Sequence, residues 1–343
     1  MANVARRLVF RGIKDVDWET LALPAELGPT EVLVRTARTV ISAGTEVAVF
    51  SGTHIGYSIP GAKYPHMPYY PGFAAAGTVE AVGSAVTALK PGDRVMGKMG
   101  HQDWVVVDLG KENLDRIPEG VSSEAACLGR LGTVSMQSVR LAGVKLGEHV
   151  AVFGQGLFGQ FALQVANLDG AVTTIAVDVL DSRLEIARGH GATHVVNPTR
   201  EDVAERIAAI TEGHGVDVAI EATGDQHVIN DCLRVAAWLG RVILLGSPRG
   251  RLEIDPYTDI HSKGVAVIGA HSDTTAREPN IFHRWTDGAH RSLVLELLRQ
   301  GRLEADGLVT TRVPADAAPS MYPALMNHPE DHLGVVIEWD EGE

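Results

Sequence analysis

Val150 to Asp178 reads VAVFGQGLFGQFALQVANLDGAVTTIAVD, with glycines at 154, 156 and 159. That spacing has a mechanical meaning. Gly154 permits a tight turn after an apolar run. Gly156, between Gln155 and Leu157, lets the backbone approach a pyrophosphate. Gly159 lets the following helix pack close to the preceding strand. The helix N-terminus then faces the phosphate charge. Asp178 follows Gly159 by 19 residues. A carboxylate there accepts hydrogen bonds from ribose hydroxyls and repels a 2′-phosphate, so the expected cofactor is NAD(H) rather than NADP(H). Arg183, five residues on, can meet either ribose or phosphate. A second stretch, His54 to Tyr70, gathers Tyr57, Tyr64, Tyr69, Tyr70, His54, His66 and Lys63 in a chain with only 5% aromatic residues. A phenol beside an ammonium group can act as a general acid, and Tyr57 near Lys63 is the expected case.

These residues need elements to hold them. From about residue 148, apolar strand-like runs alternate with helical patterns: 149–153, 173–178, 194–197, 216–221, 241–245 and 265–269. That rhythm predicts βαβ units and a doubly wound parallel sheet buried on both faces. On the helix after Asp225, Val228, Ile229, Cys232, Leu233 and Ala236 share one face, so Cys232 is read as core. The first 125 or so residues instead read as short strands between Gly and Pro punctuation, including 31–35, 77–82, 94–96 and 104–107. One more helix is expected over 292–300, and a closing strand, 334–339, is expected to return to the first domain. The predicted division is 1–131, 132–271 and 272–343.

Composition narrows the partners. The chain has 343 residues, 45% of them hydrophobic, enough for a large core. A formal charge of −13 argues against a nucleic acid or an anionic membrane as partner. Cys127 and Cys232 are too few for a disulfide framework or a cysteine-rich zinc site. No long apolar run follows the N-terminal arginines, and no window would span a bilayer, so a soluble cytoplasmic protein is expected.

With these motifs assembled, the chain resembles the medium-chain dehydrogenase/reductase superfamily of the alcohol dehydrogenase type. The marks are Pro91-Gly92-Asp93-Arg94-Val95, the 154–159 fingerprint, Asp178 with Arg183, GATHVVN at 191–197 and EATG at 221–224. The resemblance implies a GroES-like β-rich catalytic domain, a Rossmann domain and a cleft between them. It also implies that Thr133 contacts the nicotinamide and that Thr223, Gly246 and Ser247 line the cofactor groove. Self-association as a homodimer or homotetramer through the strand at 265–269 is a further implication.

The departures concern zinc. Where zinc-dependent relatives carry Cys-Gly-Thr-Asp, this chain reads Ala43-Gly44-Thr45-Glu46; where they carry Gly-His-Glu, it reads Gly72-Phe73-Ala74. A further ligand position aligns with Arg130, and the four-cysteine structural lobe is missing. Zinc needs thiolate, imidazole or carboxylate ligands, so no metal is expected. The run Ser42-Ala43-Gly44-Thr45-Glu46 also resembles the bacteriochlorophyllide and threonine dehydrogenase-like branch. A developing oxyanion then needs other donors. The resemblance points to Thr45 as proton relay, to His101 as a donor bordering the pocket, and to Glu46 with Arg130 as an ion pair filling the vacated site.

The expected activity is zinc-independent, NAD-dependent hydride transfer between nicotinamide and a secondary alcohol or ketone. A sugar, cyclitol or other polyhydroxylated small molecule suits the Tyr/His/Lys-rich rim. Two alternatives stand beside it: an NAD(P)H-dependent reductase of activated C=C bonds, and a non-catalytic NAD-binding protein.

Overall fold

A computed structural model describes residues 4–276, 278–281 and 284–339. The chain opens with an antiparallel hairpin, β1 (Val4–Gly12) and β2 (Asp15–Ala22). Then come β3 (Glu31–Val40), α1 (Ala43–Ser51), β4 (Ala75–Val82), β5 (Arg94–Gly97), β6 (Trp104–Asp108) and β7 (Leu114–Arg116). A 20-residue helix, α2 (Ser123–Ala142), follows. Strand β3 buries Val32, Val34 and Val40 fully, which fits a strand central to its sheet.

The next stretch alternates regularly. It runs β8 (His149–Phe153), α3 (Leu157–Asp169), β9 (Thr173–Val177), α4 (Asp181–Gly189), β10 (His194–Val196), α5 (Val203–Ile210), β11 (Val216–Glu221), α6 (Gln226–Val235), β12 (Ala236–Leu244) and β13 (Ala266–Gly269). The six strands form one sheet in the order β10-β9-β8-β11-β12-β13, with every neighbour parallel. This is the doubly wound sheet predicted from the alternation. Cys232 is fully buried in its core, as its place in the helical pattern predicts.

The chain ends with α7 (Asp287–Arg299), β14 (Val309–Pro314), α8 (Ala318–Asn327) and β15 (Gly334–Glu338). Strand β15 pairs antiparallel with β3, which joins the C-terminal segment to the N-terminal sheet, in the order β14-β15-β3-β4-β5-β7 with β6 also on β3. Residues 1–130, 291–301 and 305–343 make one compact unit, and 131–290 with 302–304 make the other. The second unit runs to His290, beyond the 271 boundary read from the sequence. Helices α2 and α7 carry the chain from one unit to the other. Among the described residues, no helix is long and apolar enough to cross a membrane.

Candidate functional site

In the second unit, β8 delivers the chain to Gly154, whose φ of +90° is open chiefly to glycine. A Cβ at Gly154 would stand 2.7 Å from the Thr223 methyl, and one at Gly159 would stand 1.8 Å from the Gly154 carbonyl oxygen. Those two glycines are therefore packing requirements. Gly156 is different: it precedes α3 with an ordinary φ of −69°, and a Cβ there would meet nothing within 4 Å. Open space at the first turn of a 13-residue helix is what a pyrophosphate needs. Gln155 sits between them, its Nε2 donating to the Val152 carbonyl. Its Oε1 is buried with no hydrogen-bond partner. Leu157 begins α3 and is buried.

Asp178 stands just past β9. Its Oδ2 accepts the Gln155 N–H at 2.6 Å and its Oδ1 accepts the Leu180 N–H at 2.9 Å. The carboxylate is thus fixed against the glycine turn. Arg183 lies on the first turn of α4, and its carbonyl accepts from Gln160 Nε2. Thr133 is buried on α2.

Thr223, Gly246 and Ser247 are brought together by a residue whose role sequence reasoning missed. Glu221 ends β11, fully buried. Its Oε1 accepts from the Thr223 N–H (2.6 Å), the Thr223 hydroxyl and the Gly224 N–H (2.9 Å). Its carbonyl accepts from the Gly246 N–H at 2.8 Å. A Cβ on Gly224 would meet the Ser247 carbonyl at 2.5 Å. Burial pushes the Glu221 carboxyl up from the usual carboxylate range, against the pull of those donors. The EATG run displayed the acid; its job as turn anchor needed the strand neighbours.

In the first unit, α1 places Thr45 and Glu46 in its first turn. Thr45 is partly exposed, and Glu46 is buried. The Glu46 carboxylate accepts the Ser42 N–H (3.0 Å), the Tyr322 hydroxyl (2.9 Å) and His101 Nε2 (3.0 Å). His101 Nδ1 faces the Thr39 hydroxyl at 2.8 Å, and that oxygen also accepts the Trp339 indole N–H at 2.9 Å. The indole can only donate, so the tautomer that satisfies the chain has Thr39 donating to Nδ1 and Nε2–H donating to Glu46.

This arrangement corrects two expectations. No ion pair or hydrogen bond joins Glu46 to Arg130 among the described residues; the partner of Glu46 is His101. His101 does not border a pocket as a free donor either, because its side chain is wholly buried with both ring nitrogens engaged. Tyr322, Thr39 and Trp339 complete the network from positions up to 300 residues away, a distance at which no local pattern signals a contact.

The tyrosine-rich stretch needs a correction as well. Tyr57 donates to the Val49 carbonyl at 3.3 Å. Burial and the neighbouring Tyr64 raise its hydroxyl above the ordinary value rather than lowering it. Tyr64 and Tyr69 share a hydrogen bond of 3.1 Å, and both are raised, first by burial. These phenols hold their protons through neutral pH and are not poised as bases.

At the positions that the family resemblance aligns with zinc ligands, the donor chemistry does not fit a metal. Ala43 and Ala74 offer methyl groups, and the Arg130 guanidinium lies 5.6 Å from the Phe73 ring centroid. The nearby Cys127 thiol donates to the Ala74 carbonyl and is raised by burial, the opposite of the thiolate that zinc requires. Among the described residues the one cluster of metal-ligating side chains, His328, Glu330 and Asp331, is exposed and lies elsewhere.

The fold and the two sets of residues together define a dehydrogenase-type protein, a GroES-like sheet unit coupled to a Rossmann-like one. Comparison with known proteins agrees. Residues 28–152 match the alcohol dehydrogenase GroES-like domain family, and 158–287 match the zinc-binding dehydrogenase family. The chain belongs to the medium-chain dehydrogenase/reductase superfamily. It is 29% identical to an alcohol dehydrogenase of Cupriavidus necator, covering 91% of this chain and 93% of that protein. It is 29% identical to the D-guloside 3-dehydrogenase of Escherichia coli, covering 76% and 75%. A Sinorhizobium meliloti 1021 structure solved with NADP shares its fold, with a TM-score of 0.81 at 24% identity and 98% and 100% coverage.

Proposed function

We propose that this protein is an NAD(H)-dependent oxidoreductase that interconverts a secondary alcohol and its ketone without a catalytic zinc. The observation that carries the reading is a contrast. The dinucleotide cradle is intact down to the empty space at Gly156, while the zinc positions hold methyl groups, a phenyl ring and a guanidinium. Gly154, Gln155, Gly156, Leu157 and Gly159 would hold the pyrophosphate, with Asp178 and Arg183 on the ribose side. Thr133, Thr223, Gly246 and Ser247 would line the nicotinamide end. When bound, the nicotinamide supplies the hydride acceptor or donor.

The protein's own residues must manage the proton and the charge on oxygen, work worth several kcal/mol when a metal does it. Thr45 is assigned the relay hydroxyl. In the reducing direction the Tyr64–Tyr69 pair, joined by one hydrogen bond, leaves one phenol hydrogen to donate to a carbonyl oxygen. Similarity to D-guloside 3-dehydrogenase supports a sugar-like, polyhydroxylated substrate. The exposed outer strand β13 supports self-association along that edge.

The cofactor half of the reading is tested by titrating the protein with NADH and NADPH and following nicotinamide fluorescence. Asp178 predicts tighter binding of NADH by about tenfold or more, since that factor is only about 1.4 kcal/mol. Tighter binding of NADPH would refute the assignment.

A further inference from the structure

Arg130 is the one group at the vacated metal positions that carries charge, and its surroundings do not neutralise it. It is partly buried, over the Phe73 ring. Other arginines of the same unit have partners. Arg291 is bound to Asp115, Arg312 is paired with both oxygens of Glu124, and Arg94 donates to the Val121 carbonyl and the Ser123 hydroxyl. Arg130 has no hydrogen bond and no ion pair among the described residues. Two carboxylates lie within electrostatic reach, Asp115 and Glu112, but both are taken. Asp115 is held by Arg291, and Glu112 stands 3.7 Å from Lys98. Burial and the adjacent Arg291 pull the Arg130 guanidinium down to about 10.

Holding a guanidinium partly out of water without a protein partner is costly, and a ligand of opposite charge would complete it. A planar five-donor fork is matched by an oxyanion, carboxylate or phosphate, bound through two parallel hydrogen bonds. We infer that Arg130 is the receptor for an acidic group on the substrate, so that the alcohol or ketone turned over is a hydroxy or keto compound bearing a carboxylate or a phosphate. Phe73 holds the guanidinium in place from one side and leaves its nitrogens for the ligand. The inference rests on the dehydrogenase reading for the rest of the molecule and adds the substrate class.

Arginine modification by phenylglyoxal, mapped by peptide mass spectrometry on the full-length wild-type protein, tests it without knowledge of the substrate. Arg130 is expected to be modified in the free protein and protected at least tenfold in rate by inorganic phosphate or by acetate. The more effective of the two anions identifies phosphate or carboxylate. NADH alone should leave Arg130 reactive. Arg130→Gln should weaken the favoured anion at least tenfold, measured by calorimetry, while Arg130→Lys, which keeps the charge but loses the two-pronged fork, should recover only part of that loss. No modification of Arg130, no protection by either anion, or protection by NADH alone would each overturn the proposal. NADH binding followed in the same samples separates the outcomes: if it persists, only the anion subsite fails and the cofactor assignment stands.

Discussion

Glu46 and Gly156, one in each unit, show how two candidate residues are constrained by opposite physics. Glu46 is buried with three donors aimed at its carboxylate: Ser42 N–H, the Tyr322 hydroxyl and His101 Nε2–H. Its carboxylate also sits in the first turn of α1, where the helix N-terminus favours negative charge. Glu46→Ala would strand those donors, so a loss of about 3–5 kcal/mol is expected, read from the urea unfolding midpoint. Little change would mean that the network contributes nothing to the fold. Gly156 is the reverse case. Its backbone suits any residue, and a side chain would project into empty space. Gly156→Val should therefore leave the melting temperature within a degree or two, on the order of 0.5 kcal/mol, while abolishing NADH binding. A variant that still binds NADH would show that the pyrophosphate does not lie there. The glycine spacing was legible because turn and close-packing requirements are local. The Glu46 partnership was misread because Arg130 was matched to it by family position. The true partner, His101, lies 55 residues along the chain and Tyr322 lies 276.

At the scale of elements, the parallel sheet could be read almost residue by residue. Strands β8 and β11 fall where the apolar runs 149–153 and 216–221 predicted. A strand buried on both faces writes a continuous signal. Strand β12 instead begins at Ala236, five residues before the expected start: Ala236, expected on the face of the preceding helix, is the strand's first residue, and Gly240 interrupts the apolar run between 236–239 and 242–244. The hairpin β1–β2 and strand β14 carry no comparable continuous apolar run: β1 is interrupted by Arg6, Arg7 and Arg11, and β2 and β14 are largely exposed or half-buried. Helix α7 was found but begins earlier than expected, and that extra turn holds His290. This imidazole is buried, stacked on Trp285 with centroids 6.1 Å apart, and neither nitrogen has a hydrogen-bond partner. Burial, then the nearby Arg140, lowers it to about 4. The unfolded chain, near 6.5, binds the proton first as pH falls. Stability from this group is therefore complete above about 6.5 and lost progressively down to about 4. The loss is on the order of 1–2 kcal/mol once solvent screening is allowed for. His290→Phe keeps an aromatic ring against Trp285 and should flatten the chemical-denaturation profile between those pH values. An unchanged slope would remove His290 as its source.

Over the whole molecule, the chain has the two-unit plan of its superfamily, while the residues that the family resemblance aligns with zinc ligands are of types that do not hold zinc. Ala43, the adjacent Phe73 and Ala74, and Arg130 stand on three different parts of the first unit. The glycines, Asp178 and Glu221 of the second unit retain the geometry a dinucleotide needs. A protein losing its function would not be expected to spare one set so completely, and this is why a working metal-free enzyme is the reading preferred over a cofactor-binding relic. The most direct measurement is the metal content of the purified protein, before and after chelation, with NADH binding recorded on the same samples. Well under one zinc per chain is expected, with NADH affinity unchanged by the chelator. Stoichiometric zinc that resists dialysis would contradict it.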